Sequence, residues 1–67
     1  MLKETAGNNA GKIWRALNES PEKSLKQVKR SLKFTDKDLY LGLGWLLRED
    51  KISLSEKDGE IYPTLKD

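Results

Sequence analysis

Ala6, Ala10, Ile13, Trp14 and Leu17 fall at i, i+4, i+7, i+8 and i+11, a spacing that gathers apolar side chains on one face of an α-helix. Asn8, Asn9, Lys12, Arg15 and Glu19 fill the polar side between them. The pattern predicts a first helix over residues 4–19. Asn18-Glu19-Ser20-Pro21 should stop it, because the residue before a proline is pushed out of the α region. Beyond a polar connection, Ser24 can cap a second helix, and Gln27 three residues later completes the capping-box spacing. Leu25, Val28 and Leu32 then form an i, i+3, i+7 stripe, which predicts a helix over residues 24–33. Lys33-Phe34 makes a turn. Thr35 and Asp38 repeat the cap spacing, and Asp36 and Asp38 complement the dipole of a third helix. Leu39, Leu43, Leu46 and Leu47 form its apolar stripe, and it should end near Asp50.

The period then changes from helical to two. Ile52-Ser53-Leu54-Ser55 alternates, Glu56-Lys57-Asp58-Gly59 interrupts, and a second alternating run over residues 60–65 carries Ile61, Pro63 and Leu65 on one face. This reads as a β-hairpin with Asp-Gly in its turn. Pro63 lacks an N–H, so its strand belongs at an edge. The predicted core is one cluster of Trp14, Leu17, Val28, Leu32, Leu39, Leu43 and Leu46, closed at one end by Ile52 or Ile61.

Composition narrows the functional classes. The chain has 67 residues and neither cysteine nor histidine. Disulfides, zinc fingers, thiolate nucleophiles and Ser-His-Asp catalysis are therefore excluded, and a chain this short has no room for a large cleft. No enzyme is expected, and no cofactor or small-molecule substrate is inferred. The pairs Glu49-Asp50 and Asp58-Glu60 lack a third ligand in register, so no metal site is assigned. Residues 1–67 read as a single domain. The longest apolar runs fall far short of a membrane span and Met1-Leu2-Lys3-Glu4 has no apolar signal core, so a cytoplasmic location is expected.

Charge is unevenly spread. Residues 1–35 hold eight bases against three acids, a net +5, whereas residues 36–67 hold five bases against eight acids, a net −3. Such a dipole suggests an anionic partner for the first half, and it would also serve self-association.

Helix, helix, short turn, helix and hairpin follow in the order of a winged helix-turn-helix. The run 25–32 resembles its second helix, Phe34-Thr35-Asp36 its turn, residues 37–48 its third helix, and Glu49-Asp50-Lys51-Ile52 the turn into the wing. The run 35–52, together with Ala10-Gly11-Lys12-Ile13-Trp14, further resembles small stand-alone bacterial winged-helix proteins of unassigned function. The resemblance covers nearly the whole chain. It implies an α+β, mostly α, fold: three helices and a C-terminal two-stranded β-hairpin wing. Winged helices serve both as DNA readers and as protein-interaction modules, so the resemblance leaves the function open between them.

The second helix carries the clearest candidate site. Lys26, Lys29, Arg30 and Lys33 follow i, i+3, i+4, i+7, on the face opposite Leu25, Val28 and Leu32, and no acid interrupts them. In a helix-turn-helix this helix crosses the DNA backbone, where four cations would neutralise phosphates; a merely solubilising face has the same composition. On the third helix, with Leu39 at 0°, the apolar stripe centres near about 20°. The outward face then collects Lys37, Leu41, Gly44, Trp45 and Arg48, of which only Lys37 and Arg48 can bond to bases or phosphates. Leu41 and Trp45 make an apolar ridge. It is either covered by the wing of the same chain or a surface for a partner or second copy. The wing turn is acidic, which argues against its lying along phosphates.

Two functions follow. One is non-catalytic DNA binding, possible in transcription, through Lys26, Lys29, Arg30, Lys33, Lys37 and Arg48. The other is a protein-interaction or homodimerisation module that uses Leu41 and Trp45. The helical phases make a first prediction: Leu43→Ala should cost about 2–5 kcal/mol, and Lys26→Ala less than about 0.5 kcal/mol. Urea denaturation of both variants measures this, and equal losses would show the phases to be wrong.

Overall fold

In the computed structural model, which describes residues 2–66, the chain forms α1 (Leu2–Glu19), α2 (Leu25–Leu32), α3 (Asp36–Arg48), β1 (Ile52–Lys57) and β2 (Glu60–Leu65). Local chemistry sets the ends. Ser24 Oγ accepts from the Gln27 N–H at 3.3 Å while Gln27 Oε1 accepts from the Ser24 N–H at 2.8 Å, the reciprocal capping box. Thr35 Oγ1 accepts from the Asp38 N–H at 3.2 Å and caps α3 in the same way. After α2 the chain turns through Lys33 at φ 57°, with the Phe34 N–H returning 3.0 Å to the Lys29 carbonyl. After α3 it turns through Asp50, also at φ 57°, with the Lys51 N–H returning 2.9 Å to the Leu46 carbonyl. Both are Schellman endings built without glycine.

β1 and β2 pair antiparallel in a two-stranded sheet, from Ile52 opposite Leu65 to Lys57 opposite Glu60. Asp58 and Gly59 both take positive φ, 54° and 79°, as a two-residue type I′ turn requires. Leu54 and Pro63 face each other across the pair. Pro63 is fully buried.

One core joins the elements: Ala10, Ile13 and Leu17 from α1, Leu25 and Val28 from α2, Leu39, Leu43 and Leu46 from α3, and Ile52 from β1. Leu32, Phe34, Trp45 and Leu65 pack at its margin. Three expectations need correction. Trp14 is 41% exposed, because Ile13 and Leu17 point into the core and Trp14 lies roughly 90° round the helix from the centre of the buried stripe. Leu47, placed in the apolar stripe of the third helix, is exposed. Asn9, which the sequence places on the polar side, is buried and donates from Nδ2 to the Asp38 carbonyl at 3.0 Å, tying α1 to the start of α3.

The close approach of α1 and α3 explains these shifts. A Cβ placed on Gly42 would lie 2.8 Å from Ile13 Cδ1, 2.9 Å from the Ala10 nitrogen and 2.9 Å from the Asn9 carbonyl carbon. Only a residue without a side chain lets the helices meet here. Gly44, two residues on, faces open space. Gly42→Ala should therefore destabilise by about 1–3 kcal/mol, since two of the blocking atoms are backbone and the helices must separate. Gly44→Ala should stabilise by about 0.4–1 kcal/mol through the less flexible unfolded chain. Denaturant midpoints that moved in the same direction for both variants would contradict this packing.

Candidate nucleic-acid interface

The capping box fixes the start of α2 and the left-handed Lys33 fixes its end, so the phase of its polar face is set by both termini. With Leu25 and Val28 turned inward, Lys26, Lys29, Arg30, Lys33 and the margin of Phe34 surround one shallow depression. The four cations that the sequence aligns are thus brought together. Two have acids nearby: Lys29 Nζ lies 2.5 Å from Asp36 Oδ1, and Lys26 Nζ lies 3.7 Å from Glu60 Oε1. The Lys26 side chain remains 82% exposed. Arg30 and Lys33 form no ion pair among the described residues.

A second depression, between α1 and α2, is lined by Lys12, Arg15 and Lys23 with Glu19 as its acid. Lys23 Nζ donates to Ser31 Oγ at 3.2 Å. The sequence places Lys12 and Arg15 on the polar side of the first helix and Lys23 in the connection after it, with nothing that joins them. Their convergence depends on how α1 crosses α2, which no single-helix periodicity contains.

On α3 the outward face differs from the expected one. Leu39, Gly42, Leu43 and Leu46 are buried, so the buried side is centred toward Gly42. Leu41 and Trp45 are half-buried, and the Trp45 ring lies 3.8 Å from the Cβ position of Gly7 on α1. α1, and not the wing, covers Trp45. The exposed strip is Asp36, Lys37, Tyr40, Gly44, Leu47 and Arg48, roughly 80° away from the expected direction. Lys37 and Arg48 keep their expected exposure. The apolar pair that faces solvent is Tyr40 and Leu47, at 61% and 43% exposure, and not Leu41 and Trp45. The signal missed was glycine, which a hydrophobic stripe counts as neutral although its backbone forms the tightest helix contact.

The hairpin presents Glu56 and Asp58 to solvent and leans Glu60 toward α2. Ile61 and Gly59 at its tip face Tyr40, Leu25 and Leu39 across a cleft whose rim carries Lys26, Lys29, Asp36 and Glu60. Lys66 Nζ lies 2.5 Å from Asp50 Oδ1 and fastens the chain end to the turn after α3. Among the described residues, no three acidic side chains converge as metal ligands. No helix among them is long and apolar enough to cross a membrane.

Comparison with known proteins agrees with this geometry. The model of a family described as a winged helix-turn-helix domain (DUF2582) matches residues 1–65. The chain is 40% identical over 63 residues to the uncharacterised protein MJ1608 of Methanocaldococcus jannaschii, covering 90% of this chain and 89% of that one. Its fold superposes on the solution NMR structure of protein BT2368 from Bacteroides thetaiotaomicron with a TM-score of 0.84 at 37% identity. That match covers 97% of this chain and 79% of the other.

The placement of the two tryptophans is directly measurable. With Trp45→Phe leaving Trp14 as the sole indole, and Trp14→Phe leaving Trp45, acrylamide should quench the Trp14 emission more strongly. The reverse order would return Trp45 to an outward ridge.

Proposed function

We propose that this chain, which belongs to the winged helix-turn-helix domain family DUF2582, is a non-catalytic protein that binds duplex DNA, chiefly through the phosphate backbone. The observation that carries the reading is the depression on α2, where Lys26, Lys29, Arg30 and Lys33 converge and no acid is among the lining residues. In helix-turn-helix proteins this helix crosses the DNA backbone, so four cations there meet phosphates and release condensed counterions. Lys37 and Arg48 extend the cationic contact to the two ends of α3. The ion pairs of Lys26 and Lys29 present little obstacle. Exposed pairs of this kind are worth about 0–1 kcal/mol, so exchanging a carboxylate for a phosphate costs little.

The acidic wing defines the limits of this surface. Glu56 and Asp58 point into solvent at the hairpin tip and would be repelled by a phosphate track, so the wing stands off the duplex. Binding through α2 and the ends of α3 favours any duplex over none, with little dependence on sequence from the phosphate contacts themselves. A cytoplasmic location and a role in transcription accord with this reading. No cofactor, metal or small-molecule substrate enters it.

The test is binding of a mixed-sequence duplex, followed by fluorescence anisotropy across a salt series. Each phosphate neutralised contributes a slope of about −0.9 in log affinity against log salt. Replacing Lys26, Lys29, Arg30 and Lys33 together by Ala should weaken binding to all duplexes alike and flatten that slope by about 2–4. Absence of duplex binding by the unmodified protein at low salt would overturn the proposal.

A further inference from the structure

The exposed strip of α3 does more than extend a basic surface. Lys37 stands at its start, beside the Asp36 that pairs with Lys29, and Arg48 at its end, with Tyr40, Gly44 and Leu47 between them. The eleven-residue step from Lys37 to Arg48 covers about 16 Å along the helix axis. Between the two cations, the only hydrogen-bonding group on the strip is the Tyr40 hydroxyl. Gly44 offers bare backbone, with nothing within 4 Å of its Cβ position. The strip is also continuous with the α2 surface, because Tyr40 lines the same cleft as Lys26 and Lys29, whose acid partners Glu60 and Asp36 line it too.

We infer that α3 recognises thymine C5-methyl groups on the floor of the major groove, through Leu47 and Tyr40, while Lys37 and Arg48 hold the helix ends to the phosphate walls. This rests on the DNA-binding reading above and assigns the kind of sequence that reading prefers. The argument is one of chemical matching. The major groove floor offers acceptors on guanine, an amino donor on cytosine, an acceptor and donor on adenine, and an acceptor with a methyl on thymine. Between its cationic ends the strip offers a single hydroxyl and no amide or carboxylate, so its centre cannot complete a bidentate match to guanine, cytosine or adenine. Pressed against cytosine or adenine, Leu47 would desolvate an amino group and return nothing. The thymine methyl is the one feature of the floor that an apolar side chain rewards. Gly44 lets the helix backbone settle between Tyr40 and Leu47, bringing both within reach of the floor. Cationic ends and an apolar centre match a groove with anionic walls and a methyl-bearing floor.

The experiment compares two duplexes of one thymine-rich sequence, identical except that uracil replaces thymine in the second. Base pairing and the O4 acceptor are retained, and only the methyl groups are removed. A buried methyl corresponds to about a fourfold change in affinity, so the thymine duplex should bind about 4- to 15-fold more tightly for one or two methyls read. Leu47→Ala with Tyr40→Ala should bring the ratio close to one and leave the salt slope unchanged. Both side chains are substantially exposed, so the fold should survive, and circular dichroism checks that it does. Equal binding of the two duplexes by the unmodified protein, with its salt dependence intact, would overturn this inference and leave the backbone-binding reading standing. A thymine preference that persists in the double variant would also overturn it, since the methyl would then be sensed elsewhere. Failure to bind either duplex at low salt would instead remove the DNA-binding reading.

Discussion

The contact on which the rest of this structure depends is the meeting of α1 and α3 at Gly42, where the space for a methyl group is already taken by Ile13 Cδ1 and by backbone atoms of residues 9 and 10. It sets how deeply α3 sits against α1 and therefore which way every other α3 side chain points. Leu39, Leu43 and Leu46 go to the core, Trp45 is drawn over Gly7, and Tyr40, Leu47 and Arg48 are left outside. The buried Asn9 adds direction to the contact. Its amide reaches the Asp38 carbonyl, so α1 is registered against the first turn of α3 by a hydrogen bond as well as by shape. An unbonded amide at that depth would carry a desolvation penalty, which disfavours a shifted register of the two helices.

Elements whose signals are local were legible in the sequence. The capping box of α2, the Thr35 cap of α3 and the Asp-Gly turn each depend on residues within four positions of one another, and each forms where the spacing predicts. The basic stripe of α2 was legible for the same reason, since an eight-residue helix capped at both ends has little freedom in its phase. The faces of α1 and α3 were less legible. A stripe drawn from large apolar residues counted Trp14 and Leu47 as core and passed over Gly42, because burial here follows close backbone approach and not side-chain size. The candidate ridge at Leu41 and Trp45 carried that error forward. The cluster of Lys12, Arg15 and Lys23 was hidden for a different reason, since it is assembled across two helices.

The charge dipole seen along the sequence becomes a spatial division with contacts across it. Glu60 and Asp36 both approach α2, so the acidic half partly neutralises the basic one within the chain. These pairs are exposed and weak, and their partners compete on nearly equal terms with phosphate oxygens. A surface of this type attracts a polyanion through its net field without holding it permanently. Under the proposed DNA-binding function, affinity is governed by ionic strength more than by any single contact.

The exposed apolar residues follow from size and geometry together. A chain of this length cannot cover all of its apolar surface, so isolated exposed side chains are expected and need no function. Leu54 and Ile61 are of this kind: the inward face of the hairpin extends past the core that Ile52 and Pro63 complete, and its tip is left uncovered. Tyr40 and Leu47 differ in their surroundings. They lie along one helix between two cations, with a bare glycine backbone between them, and Tyr40 shares a cleft with the α2 lysines. Exposure alone would not separate the two pairs, because Ile61 at 41% and Leu47 at 43% are nearly equal. The separation lies in the charge around them: Glu56, Asp58 and Glu60 outnumber Lys57 at the hairpin tip, while on the α3 strip Lys37 and Arg48 stand with one acid, Asp36, which is paired with Lys29, so the second setting meets less repulsion from a phosphate backbone.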